Sequence, residues 1–151
     1  MTAPLVIRAA SSADLGGINA LMHGSRAYRG DYYRIIENYF VTEDYLAQHR
    51  VFVAEQDTAL LGFYSLLVDG EPDLDLMFVS DDAQGAGVGR SLFDHMKQTA
   101  RAHGIASIRI GAHPPAAAFY ERMGAVRCGI SPPLPNVTWE RPLFKLAIAE
   151  S

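Results

Sequence analysis

Leu74-Asp75-Leu76-Met77-Phe78-Val79-Ser80-Asp81-Asp82-Ala83-Gln84-Gly85-Ala86-Gly87-Val88-Gly89-Arg90 is the stretch on which the reading of this chain turns. Leu74, Leu76 and Phe78 alternate with Asp73, Asp75 and Met77, as in a strand with two different faces. Past Gln84, three alternate glycines lead into a helical pattern. Val88, Leu92, Phe93, Met96 and Ala100 share one face, and Gly104 supplies the stop. Glycines let the backbone turn sharply and let a ligand approach without meeting a Cβ. The first helical turn leaves N–H groups without intrahelical partners, and these carry partial positive charge. A strand, a glycine turn and a helix N-terminus in this order make a seat for a phosphate or pyrophosphate. Arg90 adds a cation, and no acid lies between Gln84 and Ser91.

Two familiar phosphate motifs fail on spacing. A dinucleotide fingerprint counted from Gly85 or Gly87 finds Arg90 or Leu92 where its third glycine belongs. The turn is also followed by too few βα units for a dinucleotide fold. A P-loop needs a Gly-Lys pair, which the chain lacks.

Outward from the turn, Leu5 to Arg8 reads as a first strand. Ser11 and Ser12 offer an N-cap, with Leu15, Ile18, Leu21 and Met22 at helical spacing behind it. Gly24 to Tyr39 is irregular and carries tyrosines at 28, 32, 33 and 39. Thr42 starts a short helix running to about His49. Val51 to Ala54 and Leu60 to Val68 are strand-like, and Asp69-Gly70 marks a hairpin. After the long helix come a strand to Ala112, a short helix from Ala116 to Met123 opened by Pro114-Pro115 and closed by Gly124, and strands at Val126–Ile130 and Leu143–Ile148. The expected order is strand, two helices, three strands, helix, strand, helix, two strands. That is a mixed α/β (α+β) domain with antiparallel hairpins and at least one crossover.

Gln84-Gly85-Ala86-Gly87-Val88-Gly89 fits the pattern Q/R-x-x-G-x-G/A. It resembles the acetyl-CoA pyrophosphate loop of the GNAT N-acetyltransferase superfamily. Ala112-His113-Pro114-Pro115-Ala116-Ala117-Ala118-Phe119-Tyr120-Glu121-Arg122-Met123-Gly124-Ala125 resembles that family's A-N-x-x-A-x-x-F-Y-E-x-x-G-F segment. The likeness runs from Ile7 to the last strand and is specific between residues 74 and 125. Three positions depart from it: Asp81 replaces a frequent proline, His113 a common asparagine and Ala125 a frequent aromatic.

The resemblance implies a single domain over residues 1–151, with a central, mostly antiparallel sheet flanked by about four helices. It implies that the strand ending at Val79 and the next strand splay apart to admit the pantetheine arm. The backbone of Met77, Phe78 and Val79 would pair with that arm, the Val79 N–H lying near the thioester carbonyl. The pyrophosphate would rest on Gln84, Gly85, Ala86, Gly87, Val88, Gly89 and Arg90. His113 and Ala117 would line the cofactor. Tyr120 matches the tyrosine assigned as general acid, and a phenol stays protonated at neutral pH. Asp75 stands where many members carry a glutamate and is the expected base, on the face opposite Leu74, Leu76 and Phe78. Asp73, Glu71 or a water are its substitutes. Tyr28, Tyr32, Tyr33 and Trp139 are candidates for an acceptor pocket. The implied activity is acetyl transfer from acetyl-CoA to a primary amine by direct attack, without a metal. A non-catalytic acyl-CoA sensor is the alternative.

Composition sets the bounds. The 151 residues are 49% hydrophobic and 20% charged, with 13 glycines and a net charge of −4. Mean hydropathy is +0.03 and the pI about 5.7. These values fit one globular domain and exclude wholesale disorder. An acidic balance argues against a general nucleic-acid partner. No segment is apolar for long enough to span a membrane. The single cysteine, Cys128, cannot form an internal disulfide and reads as a small buried residue in a cytoplasmic protein. The five histidines show no metal-ligand spacing. The acidic run Asp69, Glu71, Asp73 and Asp75 points to a cationic amine as small-molecule or peptide acceptor, and a homodimer stays open.

Overall fold

The computed structural model describes residues 3–135 and 137–149. Eleven regular elements follow the expected order: β1 (Val6–Ala9), α1 (Leu15–His23), α2 (Glu43–Gln48), β2 (Arg50–Gln56), β3 (Ala59–Leu67), β4 (Asp73–Val79), α3 (Val88–Ala102), β5 (Ser107–Gly111), α4 (Ala117–Arg122), β6 (Val126–Ile130) and β7 (Pro142–Ala147). Local chemistry sets several of their ends. Ser11 and Asp14 form a reciprocal capping box ahead of α1. The Thr42 hydroxyl accepts the Tyr45 N–H at the start of α2. Gly104 and Gly124, both at positive φ, close α3 and α4. Between α1 and α2 the chain runs through short 3-10 turns at Arg26–Tyr28 and Gly30–Ile35, hence its lack of periodicity.

The strands form one seven-stranded sheet in the order β1-β2-β3-β4-β5-β7-β6. Every pairing is antiparallel except β4 with β5. Helix α3 is the crossover between those two parallel strands. The sheet separates two apolar layers. One gathers Leu92, Phe93 and Met96 of α3 with Tyr64, Ile108 and Phe144. The other gathers Ile18 and Met22 of α1 with Val53, Phe63, Leu76 and Phe78. The buried face of α3 is Val88, Leu92, Phe93, Met96 and Ala100, the set that its periodicity marks.

Two expectations fail. Strand β4 does not alternate throughout: Ser65 pairs with Leu76 but Leu66 with Leu74, so Asp75 is an extra residue in a β-bulge. Leu74 therefore packs in the α3 layer while Leu76 and Phe78 pack in the α1 layer. Asp75 is on the α2 side with the latter pair instead of opposing all three leucine and phenylalanine positions. Cys128 is exposed, on edge strand β6, whose five residues are all exposed. No helix among the described residues is long and apolar enough to cross a membrane.

Candidate active site

Strands β4 and β5 share one register pair, Asp73 with Arg109. Beyond it they diverge, and a cleft of about 800 Å³ opens between them. This is within the roughly 300–1,000 Å³ of small-ligand sites. Backbone orientation makes the β4 side of the cleft useful. Ser80 N–H donates to the Leu61 carbonyl at 2.8 Å, across the Gly62–Val79 pair. By the alternation of an antiparallel ladder, the N–H and carbonyl of Val79 then face away from β3, into the divergence. The Gln84 side-chain amide occupies that carbonyl at 3.1 Å.

The glycine turn closes one end. Gly85 and Gly87 hold φ of +81° and +83°, a region only glycine enters freely, and a Cβ at either would meet open space. Among the described residues, no backbone or side-chain acceptor takes the N–H groups of Gly85, Gly87, Val88, Gly89 or Arg90. Unpartnered donors at a helix N-terminus beside open space suit an anionic diphosphate. These residues fit the pyrophosphate of acetyl-CoA.

Of the cofactor residues expected from sequence, Met77, Phe78, Val79, Gln84, Gly85, Gly87, Val88, Gly89, Arg90, His113 and Tyr120 line this one cleft. Ala86 does not; it faces a smaller depression beside Leu5 and Leu61. Ala117 does not line the cleft either, and its neighbours Ala116 and Phe119 do. A 3-10 turn, Pro114–Ala116, precedes α4, which starts at Ala117 and not at Ala116. Ser25 and Ala27 also line the cleft, unmarked in the sequence by any motif.

Tyr120 is 8% exposed, and burial holds its hydroxyl well above the usual phenol range, hence protonated. His113 stacks on Tyr28 with ring centroids 3.9 Å apart. Burial pushes its imidazole down to about 4, partly opposed by a backbone hydrogen bond at Ala27, and Nε2 has no partner. Tyr28 also packs on Phe78, with centroids 5.0 Å apart. Its hydroxyl is raised first by burial; the Asp75 charge adds to that rise and Arg141 opposes it. Tyr28 thus lines the cleft and also feels the acidic bulge.

Asp75 does not line the cleft itself. Its Oδ2 accepts from the hydroxyls of Tyr39 at 2.6 Å and Tyr45 at 2.5 Å, and Tyr45 also meets Ser65 Oγ. Burial and the Asp75 charge together keep both phenols protonated. Asp73 and Glu71 are engaged elsewhere, by Arg109 at 3.1 and 2.9 Å. Of these three, Asp75 is the carboxylate with no ion pair among the described residues. The tyrosine cluster divides. Tyr28 and Tyr32 flank His113, and Tyr32 meets Trp139 edge-on at 4.9 Å. Tyr33 turns away to His23. Asp81 accepts the Arg26 N–H at 3.2 Å, tying the first 3-10 turn to the loop after β4. Among the described residues, no group of three or more metal-ligating side chains comes together.

The family model for the acetyltransferase (GNAT) domain matches residues 31–132. The chain belongs to the GNAT acetyltransferase superfamily. Solved structures repeat the fold. A protein assigned to the GNAT family from Desulfovibrio desulfuricans shares 16% identity over 97% of this chain and 100% of its own, with a TM-score of 0.79. The ribosomal-protein-S18-alanine N-acetyltransferase of Escherichia coli shares 20% over 98% and 96%, with a TM-score of 0.73. A Salmonella typhimurium protein assigned as an acetyltransferase, solved with its cofactor acetyl-CoA, shares 18% over 98% and 96%, with a TM-score of 0.70. At these identities the likeness is one of fold. No curated protein matches the chain.

Proposed function

We propose that this protein moves an acetyl group from acetyl-CoA to a primary amine by direct attack, as a single catalytic unit over residues 1–151. The observation that carries the reading is the cleft at the β4–β5 divergence, which joins unpartnered backbone donors at one end to the buried Tyr120 phenol. Gly85 to Arg90 would seat the pyrophosphate, and the backbone of Met77 and Val79 would align the pantetheine arm. The acceptor nitrogen adds to the thioester carbonyl, whose developing oxyanion meets the Val79 N–H. As the C–S bond breaks, Tyr120 gives its proton to the departing sulfur. Asp75 takes a proton from the acceptor ammonium, directly or through water, with Tyr39 and Tyr45 orienting its carboxylate.

Free-thiol release with acetyl-CoA and an amine panel tests the reading. Tyr120→Phe and Asp75→Asn should each lower kcat by about 10²–10⁴-fold, the usual size of a general acid or base contribution. Both variants should still be stabilised thermally by acetyl-CoA. Full turnover in both overturns the mechanism. Stabilisation by acetyl-CoA with no turnover of any amine by the wild type favours a sensor instead.

A further inference from the structure

Arg141 stands just ahead of β7, two residues past Trp139, and Tyr28 is near enough to feel its charge. Ser131 N–H donates to its carbonyl at 2.8 Å, and Nη2 donates to the Pro132 carbonyl at 3.1 Å. Nη1 lies 3.2 Å from where a Cβ on Gly111 would stand. The guanidinium therefore rests against Gly111, the last residue of β5, and does not line the cleft itself. Among the described residues, no carboxylate lies within ion-pair distance of it. Asp73 is near enough to act on its charge, yet its carboxylate is committed to Arg109. Burial weakens the hold of Arg141 on its proton, and nothing local offsets that fully.

Two further polar groups around Gly111 lack partners. Ser131 is 6% exposed, its Oγ is unbonded, and it lies 2.9 Å from the same Gly111 Cβ position. His113, two residues past Gly111 and 7% exposed, has an unbonded Nε2. A buried polar group left without a partner is costly, more so when charged. A guanidinium and a hydroxyl, both able to donate and both without an anionic acceptor, match a carboxylate in geometry and charge. The acidic bulge at Asp75 supplies the opposite charge, and Tyr28, whose ring stacks on His113, feels both it and Arg141.

We propose that the acceptor is a free apolar α-amino acid, its carboxylate held by Arg141 and Ser131 while its amine is presented towards Asp75 and Tyr120. The proposal rests on the acetyl-transfer reading above. An N–C bond forms and the thioester C–S bond breaks. The acceptor ammonium gives up two protons in all, one reaching the thiolate through Tyr120 and one reaching solvent through Asp75. The products are an N-acetyl amino acid and free CoA. Arg141 sets specificity through the one group that separates an amino acid from a simple amine or a peptide N-terminus.

Matched triplets test this: L-phenylalanine, L-leucine and L-alanine, each with its amide and its decarboxylated amine. In thiol release, at least one acid should exceed its amide and amine in kcat/KM by about 100-fold, the loss expected when a desolvated charge partner is missing. Arg141→Gln should collapse that ratio, and Arg141→Lys should restore part of it. Thermal stabilisation of the protein by the same acids, read without turnover, should follow the same order. If amides and amines react as well as the acids, the proposal falls while acetyl transfer stands. If no amine releases thiol but an acid stabilises the wild type and not Arg141→Gln, the carboxylate site stands and the acetyl-transfer reading falls. If the acids give neither thiol release nor Arg141-dependent stabilisation, the proposal falls.

Discussion

His113 shows how a single side chain can set a pH window. Its imidazole stacks on Tyr28 and meets Tyr32 edge-on, and burial lowers its proton affinity from the ordinary 6.5 to about 4. In the unfolded chain the same ring is protonated below about 6.5. The unfolded state then binds the extra proton, so stability falls as pH drops from about 6.5 towards 4. Asp14 acts in a different window. Its pKa is lowered to about 2, first by the Arg8 hydrogen bond, so its contribution is present above 3.8 and is lost as pH falls towards 2. Replacing His113 by Asn should remove the first dependence and leave the second. The Tm of the wild type should fall more between pH 7 and 4.5 than that of His113→Asn. Parallel curves for the two proteins would show that His113 is not held neutral.

At the scale of elements, what could be read from the sequence followed from local rules. The α3 face was legible because Val88, Leu92, Phe93, Met96 and Ala100 keep a strict helical period. The glycine turn was legible because Gly85 and Gly87 hold positive φ at a strand–helix junction, where glycine is favoured. The bulge at Asp75 was not, since it depends on the register of β3 against β4, which no local pattern encodes. Nor was the β2–β3 turn, where Asp57 and Thr58 take positive φ without a glycine. Arg141 and the phenols of Tyr39 and Tyr45 escaped for the same reason: their partners lie 9, 36 and 30 residues away along the chain. Gly62 is another position that only packing explains. It lies on β3 under α3, and an added Cβ would stand 2.7 Å from the Phe78 carbonyl and 2.9 Å from a Leu92 methyl. The carbonyl belongs to the strand that lines the cleft. Gly62→Ala should therefore cost about 1–3 kcal/mol, the range for an overpacked core. In a thermal melt that is a drop of several degrees, and thiol release should fall with it as β4 is displaced. A variant with unchanged Tm would show that α3 has room to lift.

The whole molecule is a sheet in two blocks, β1 to β4 and β5-β7-β6, that share a single register pair. Arg109 makes that junction. Its N–H donates to the Pro72 carbonyl at 3.0 Å, and its guanidinium binds Asp73 and Glu71 across the seam. Glu71 is largely exposed, so most of the stabilisation comes from Asp73, whose side chain is 20% exposed. Burial raises the Asp73 carboxyl above its ordinary range, and Arg109 works against that rise. Arg109→Gln removes the opposing charge and drives the carboxyl higher still. The variant should lose about 1–2 kcal/mol near neutral pH, within the range for a part-buried charge-assisted pair. The sign of its pH dependence follows from the direction of the shift. A group whose folded pKa is raised is most favourable when protonated, and its stability is lost as pH rises through that pKa. At pH 5 the unpaired Asp73 can take a proton and shed its charge; at pH 8 it cannot. The Tm difference between wild type and Arg109→Gln should therefore be larger at pH 8 than at pH 5. An equal difference at both pH values would mean that Asp73 carries no burden of burial and that the junction is held by the strand pairing alone.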